Sequence, residues 1–215
     1  MIGIQHNKRI RDDEEDYQST TSTSFQQLKR RSTDYTASMT IPSKPFVHDF
    51  TLKAYTQHHG IVDLQLSKVL AEFQCAVLFC YAHDFTPQAE HDLRSIEDYA
   101  QILMKTHHAA PLALSTDHPQ VHQAFASFPN GLKFKPSYPM VSDHVRLITN
   151  HLGILDQEQG CSKRAILIID SMRNVFDAIY LQDNQPFPMT TVMSKVVSCC
   201  NHNNNSTSSH LKIHL

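Results

Sequence analysis

Five cysteines and fifteen histidines are the side chains of this 215-residue sequence that could attack an electrophile, ligate a metal ion or relay a proton. A thiol attacks only as the thiolate, so the informative cysteine is one with cationic neighbours that lower its pKa. Cys161 meets that condition: it follows Gly160 and stands just before Lys163 and Arg164. It is therefore the candidate redox thiol. Cys75 and Cys80 fall in an apolar run, where a cysteine acts as a small buried hydrophobe. Cys199 and Cys200 end a helical pattern at a polar tail, and adjacent cysteines rarely bridge to each other, so both read as surface thiols. His118 and His122 have the i, i+4 spacing of two ligands on one helix face, and His83 and His91 flank residue 89. No Cys, Asp or Glu completes a zinc set around them. The histidines are therefore assigned to the surface, and neither a metal nor a cofactor is expected. The five glycines form no phosphate-binding loop, and no Ser-His-Asp arrangement follows from spacing.

Any such group must be held by a core, and the apolar periodicity puts one in the middle of the chain. With 40% hydrophobic residues the sequence supports one compact domain with chain to spare. Residues 50–55 and 61–66 flank His58, His59 and Gly60 and predict a hairpin. The run 76–81 is apolar without alternation, which predicts a central strand buried on both faces. Leu93, Ile96, Ala100 and Leu103 recur at helical spacing. A strand is predicted over 111–115, helices over 119–128 and 145–152 with Gly153 closing the latter, and a buried strand over 164–170. Residues 175–182 pair with that strand as a hairpin, and a last helix covers 189–197. Strands alternating with helices and ending in a hairpin give an α/β domain around a mixed sheet. Residues 1–45 and 201–215 are polar and low in complexity, and both are expected to be disordered tails around a domain at 46–200. Nineteen basic and twenty-one acidic residues leave a net charge of -2, so no field draws the chain to nucleic acid or anionic lipid. No apolar run is long enough to span a membrane and no signal peptide is apparent, so a cytoplasmic protein with reduced thiols is expected.

Five segments then carry a resemblance. Asp49-Phe-Thr-Leu-Lys53, Val77-Leu-Phe-Cys-Tyr-Ala-His-Asp-Phe-Thr86, Ser142-Asp143, Leu152-Gly-Ile-Leu155 and Arg164-Ala-Ile-Leu-Ile-Ile-Asp170 follow one another in this order. Over residues 46–198 the set resembles the typical two-cysteine peroxiredoxins, the alkyl hydroperoxide reductase C and thiol-specific antioxidant family. The resemblance implies a thioredoxin-like fold with a central mixed sheet flanked by helices. It also implies thiol-dependent peroxidase chemistry in cell redox homeostasis. In that chemistry a thiolate at a helix N-terminus attacks a peroxide and is recycled by a second thiol and a thioredoxin-type reductant.

The family's site reads Pro, three residues, Thr, two residues, Cys, with an Arg from a later strand. The matching positions here are Ala82, Thr86, Ala89 and Arg164. A methyl group cannot form the sulfenic acid that the reaction requires. Residue 90, a Pro in the family, is Glu, and the helix read from Glu90-His-Asp92 would put two exposed carboxylates in its first turn. The family's resolving Val-Cys-Pro motif has no good counterpart in Cys199-Cys200-Asn201. The expectation is a catalytically impaired or inactive homologue with a remnant pocket of Thr86, Ala89 and Arg164. The alternatives are weak thiol chemistry at a relocated cysteine such as Cys161, or a non-catalytic subunit. That subunit would be a homodimer or would join related peroxiredoxins in mixed oligomers, with no nucleic acid or membrane partner.

Overall fold

The computed structural model describes residues 46–210, with side chains described as far as Asn203; the tail expected at 1–45 and residues 211–215 lie outside the described residues. In chain order the elements are β1 (Thr51–Thr56), β2 (Gly60–Gln65), α1 (Leu66–Glu72), β3 (Cys75–Cys80), α2 (Pro87–Gln101), β4 (Ala109–Ser115) and α3 (Pro119–Ser127). Then follow β5 (Met140–Ser142), α4 (Leu147–His151), β6 (Ala165–Asp170), β7 (Val175–Tyr180) and α5 (Met189–His210). The strands form one seven-stranded mixed sheet in the order β2-β1-β5-β4-β3-β6-β7, parallel at β5-β4-β3 and antiparallel elsewhere. This is the thioredoxin-like arrangement, with helices on both faces.

β3 explains the arrangement. All six of its residues are buried, so its side chains, alternating with period two, feed two separate cores. Cys75, Val77 and Phe79 pack with Leu93 and Ile96 of α2, Phe125 of α3 and Val192 and Val196 of α5. Ala76, Leu78 and Cys80 pack on the opposite face with Leu66 and Leu70 of α1 and Ile148 of α4. Each fully buried aliphatic side chain contributes about 1.5–3 kcal/mol. The β1–β2 hairpin turns at Gly60, whose φ of +65° suits a residue without Cβ. In the β6–β7 hairpin the Asp170 carboxylate accepts the Met172 and Asn174 amides at 2.9 and 2.8 Å.

Several expectations are corrected. Leu66, read as the end of a strand, opens α1, because its amide bonds the Phe50 carbonyl at 3.1 Å and the Asp49 carboxylate receives the Ser67 amide at 2.8 Å. The helix expected over 145–152 has only the five residues of α4. Arg146 sits in the left-handed region at φ +60°, and Asp143 accepts the amides of Leu147 and Thr149 at 2.9 and 2.7 Å, so the helix cannot start earlier. α2 runs into a π-helical turn at Ile102–Thr106. The boundary placed at residue 200 falls inside α5, which continues to His210. No Pro or Gly interrupts 201–210, and Asn203 donates to the Gln74 carbonyl at 2.9 Å. Among the described residues, no helix is long and apolar enough to cross a membrane.

Candidate active site

The junction between β3 and α2 carries Thr86 and Ala89. Thr86 is the N-cap of α2: its Oγ1 accepts the Ala89 amide at 3.1 Å, and Pro87 occupies the first helical position. The helix thus begins three residues before Glu90, and Asp92 is wholly buried rather than exposed in a first turn. Thr86→Ala is expected to lower stability by about 1 kcal/mol, read as a shift in denaturant midpoint; an unchanged midpoint would show the cap to be dispensable. The loop before the helix is tied down. Phe85 takes a left-handed φ of +56°, costly for a residue with a Cβ, and its ring rests 4.7 Å from that of Phe125. The Asp84 amide donates to Asp117 Oδ2 at 2.7 Å.

Arg164, at the start of β6, turns its guanidinium toward α2 and not to solvent. Nε and Nη2 donate to the two oxygens of Asp92 at 2.9 and 2.7 Å, a bidentate pair in which both side chains are buried. Nη1 reaches the Gln182 carbonyl at 2.6 Å and Nη2 the Gln185 carbonyl at 2.7 Å. The Phe187 ring lies 5.3 Å from its central carbon. Ala89 stands one turn before Asp92 on the same helix face and is 2% exposed. Thr86, Ala89 and Arg164 therefore belong to one neighbourhood, in which the arginine already has an anion and two carbonyls. Asp92 is the residue that sequence reasoning missed; its i+3 relation to Ala89 was the available signal. The two open grooves lie elsewhere. One of about 280 Å³ runs along β2 and α1, and one of about 480 Å³ is lined by His91, Tyr99 and Thr190.

The thiols are distributed differently from the sequence expectation. Cys161 is 2% exposed, and burial first, then Asp156, raises its pKa, with Arg146 rather than Lys163 or Arg164 as the opposing cation. Cys80 is likewise raised, by burial and by Asp143. Cys199 and Cys200 are not surface thiols: both are buried, because α5 turns that face onto the sheet beside Cys75.

His118 and His122 are not a ligand pair. His118 is the N-cap of α3, with its ring 4.9 Å from that of His144. His122 is fully buried, with Nδ1 at 2.7 Å from Asp84 Oδ2 and Nε2 at 3.3 Å from the Val141 carbonyl. Tyr81 donates to Asp84 Oδ1 at 2.7 Å, so one carboxylate joins β3, its loop and α3. No group of three or more His, Cys, Asp or Glu side chains among the described residues is disposed to hold a metal ion.

A thioredoxin-like sheet, a capped helix leaving β3 and a buried arginine from β6 beneath that helix define a peroxiredoxin-type domain. The AhpC/TSA family matches residues 45–177, well over half of the sequence, and the chain belongs to that family. Membership supports a thiol peroxidase-like function of the antioxidant, oxidoreductase kind. Solved structures agree in fold at low identity. The reduced 2-Cys peroxiredoxin of Plasmodium vivax superposes with a TM-score of 0.69 at 16% identity, covering 76% of this chain and 85% of that one. Enterococcus faecalis AhpC gives 0.66 at 19% identity, over 72% and 90% of the two chains. Plasmodium yoelii thioredoxin peroxidase I gives 0.67 at 17% identity, over 75% and 92%. None of the curated proteins matches the chain.

Proposed function

We propose that this protein is a member of its family without peroxidase chemistry at residue 89, acting as a non-catalytic binding or assembly subunit. The observation that carries the reading is Ala89 beside a closed Arg164–Asp92 pair. The position offers no sulfur to attack a peroxide, and the neighbouring guanidinium has a carboxylate to hold instead of an oxygen ligand. Burial and Asp156 both keep Cys161 protonated, which favours this reading over a nucleophile relocated there. The subunit would form homodimers or mixed oligomers with related peroxiredoxins in the cytoplasm. Family membership supports that assembly, and Plasmodium yoelii Prx1a modified at its N-terminus is known as an artifactual octamer.

The test is peroxide consumption with a thioredoxin-type reductant, run beside Cys161→Ser. Neither protein is expected to turn over peroxide. Sustained turnover of the unmodified protein would overturn the reading, and its loss in Cys161→Ser would move the activity to that thiol. For assembly, mixing with an active two-cysteine peroxiredoxin should give a shared peak on size exclusion; separate elution would leave only self-association.

A further inference from the structure

β3 begins between the turn at His107 and His108 and the body of α5. The Gln74 amide donates to the His108 carbonyl at 2.7 Å, and the Gln74 carbonyl accepts from Asn203 of α5 at 2.9 Å. These bonds hold α5 across the start of the strand and bring Cys199 and Cys200 onto Cys75, whose thiol is in hydrogen-bonding contact with both. All three sulfurs lie in the same buried core, and all are free thiols. We propose that Cys75 and Cys200 form an intrachain disulfide on exposure to a hydroperoxide, a redox modification site that pins α5 to β3. The inference does not depend on residue 89.

The choice of sulfurs follows from access and geometry. Cys199 and Cys75 are 0% exposed, whereas Cys200 is 9% exposed and is the one an oxidant reaches first. Its Sγ lies 3.4 Å from the His107 carbonyl, at the rim of the cluster. Cys199 and Cys200 do not suit each other, since consecutive Cα atoms lie about 3.8 Å apart and a disulfide spans roughly 4.4–6.8 Å. The hydrogen bond from Cys75 pulls the Cys200 thiol down to about 7. Cys75 is held strongly protonated by the hydrogen bonds with Cys199 and Cys200 and by burial. Cys200 is therefore the nucleophile and Cys75 the thiol that answers.

In the first step the Cys200 thiolate attacks one peroxide oxygen. The O–O bond breaks, Cys200 becomes a sulfenic acid, and the other oxygen leaves as alkoxide or hydroxide and takes a proton from water. In the second, the Cys75 sulfur attacks Cys200 Sγ. The S–S bond forms, the S–O bond breaks, and the Cys75 proton leaves with the oxygen as water. Two thiols lose two electrons to one hydroperoxide, and a dithiol reductant reverses the change. Without a reductant the reaction stops at one equivalent, which separates it from the turnover assay described above.

The full chain, reduced and then treated with one equivalent of hydrogen peroxide, is quenched with an alkylating agent and mapped by mass spectrometry. The expected result is loss of two hydrogens, two fewer alkylated cysteines, a linked peptide pair containing Cys75 and Cys200, and reversal by dithiothreitol. Cys200→Ser should slow peroxide uptake at least about tenfold, while Cys199→Ser should still bridge. Full alkylation of all five cysteines after peroxide, a sulfinic acid on Cys200 with Cys75 free, or a Cys75–Cys199 link would each overturn the proposal. If Cys200→Ser does not fold, the peptide map of the unmodified chain decides the matter alone.

Discussion

Asp92→Ala is expected to lower folding stability by about 3–5 kcal/mol, because it leaves the Arg164 guanidinium buried without its counter-ion. Arg164 is 5% exposed and Asp92 0%, so water cannot replace the lost carboxylate without opening the contact between α2 and β6. The carbonyls of Gln182 and Gln185 would remain, but they carry no net charge. For a domain of this size 1 kcal/mol corresponds to roughly 2–4 °C, so the thermal midpoint should fall by roughly 6–20 °C. The double variant Asp92→Leu with Arg164→Met removes both charges and should recover most of the loss, since an apolar pair of similar volume is often as stable as a buried ion pair. A loss below about 1 kcal/mol in Asp92→Ala would mean that the pair is hydrated in solution, and the closed reading of the site would go with it.

That pair also marks the boundary of what the sequence made legible. The strands β3 and β6 could be read directly, because runs such as Ala165-Ile-Leu-Ile-Ile-Asp170 are apolar throughout and only a doubly covered sheet buries both faces of a strand. Thr86 was legible as a cap because a hydroxyl residue before a helical pattern has one common use. Arg164 and Asp92 stand 72 positions apart, and no local rule connects them. The same limit hid Asp84 and His122, which look like polar surface residues until the loop after β3 folds over α3. Short elements were lost for a different reason: β5 has three residues, too few to show a period, and α1 begins within an apolar run. Cys199 and Cys200 were misread because polar neighbours suggested a tail, whereas the face a helix buries is set by what it packs against.

Restoring sulfur at the candidate site is expected to be insufficient by itself. Ala89→Cys would place a thiol at the third position of α2, where the helix N-terminus favours a thiolate by about 0.3–1 kcal/mol. Burial acts against it, since residue 89 is 2% exposed and a thiolate there loses its hydration. The Asp92 carboxylate one turn on repels it and already neutralises Arg164. We therefore expect Ala89→Cys to be alkylated at neutral pH, and to reduce peroxide, at close to the rate of an ordinary thiol. Adding Asp92→Asn keeps an acceptor for Arg164 but removes the negative charge, so the guanidinium can stabilise the thiolate. The thiol pKa should then fall by about one unit or more, which below that pKa is roughly a tenfold rise in thiolate and in alkylation rate. Glu90→Pro should gain much less. The Glu90 carboxylate is partly exposed and 3.5 Å from Lys133, and its amide donates to the Thr86 carbonyl at 3.1 Å, a bond that proline cannot make. The measurement is the pH dependence of alkylation at residue 89 in the single and double variants, with unfolding curves to show that both are folded. If the double variant titrates no lower than Ala89→Cys alone, the charge on Arg164 does not reach residue 89, and the grouping of Thr86, Ala89 and Arg164 into one site is wrong.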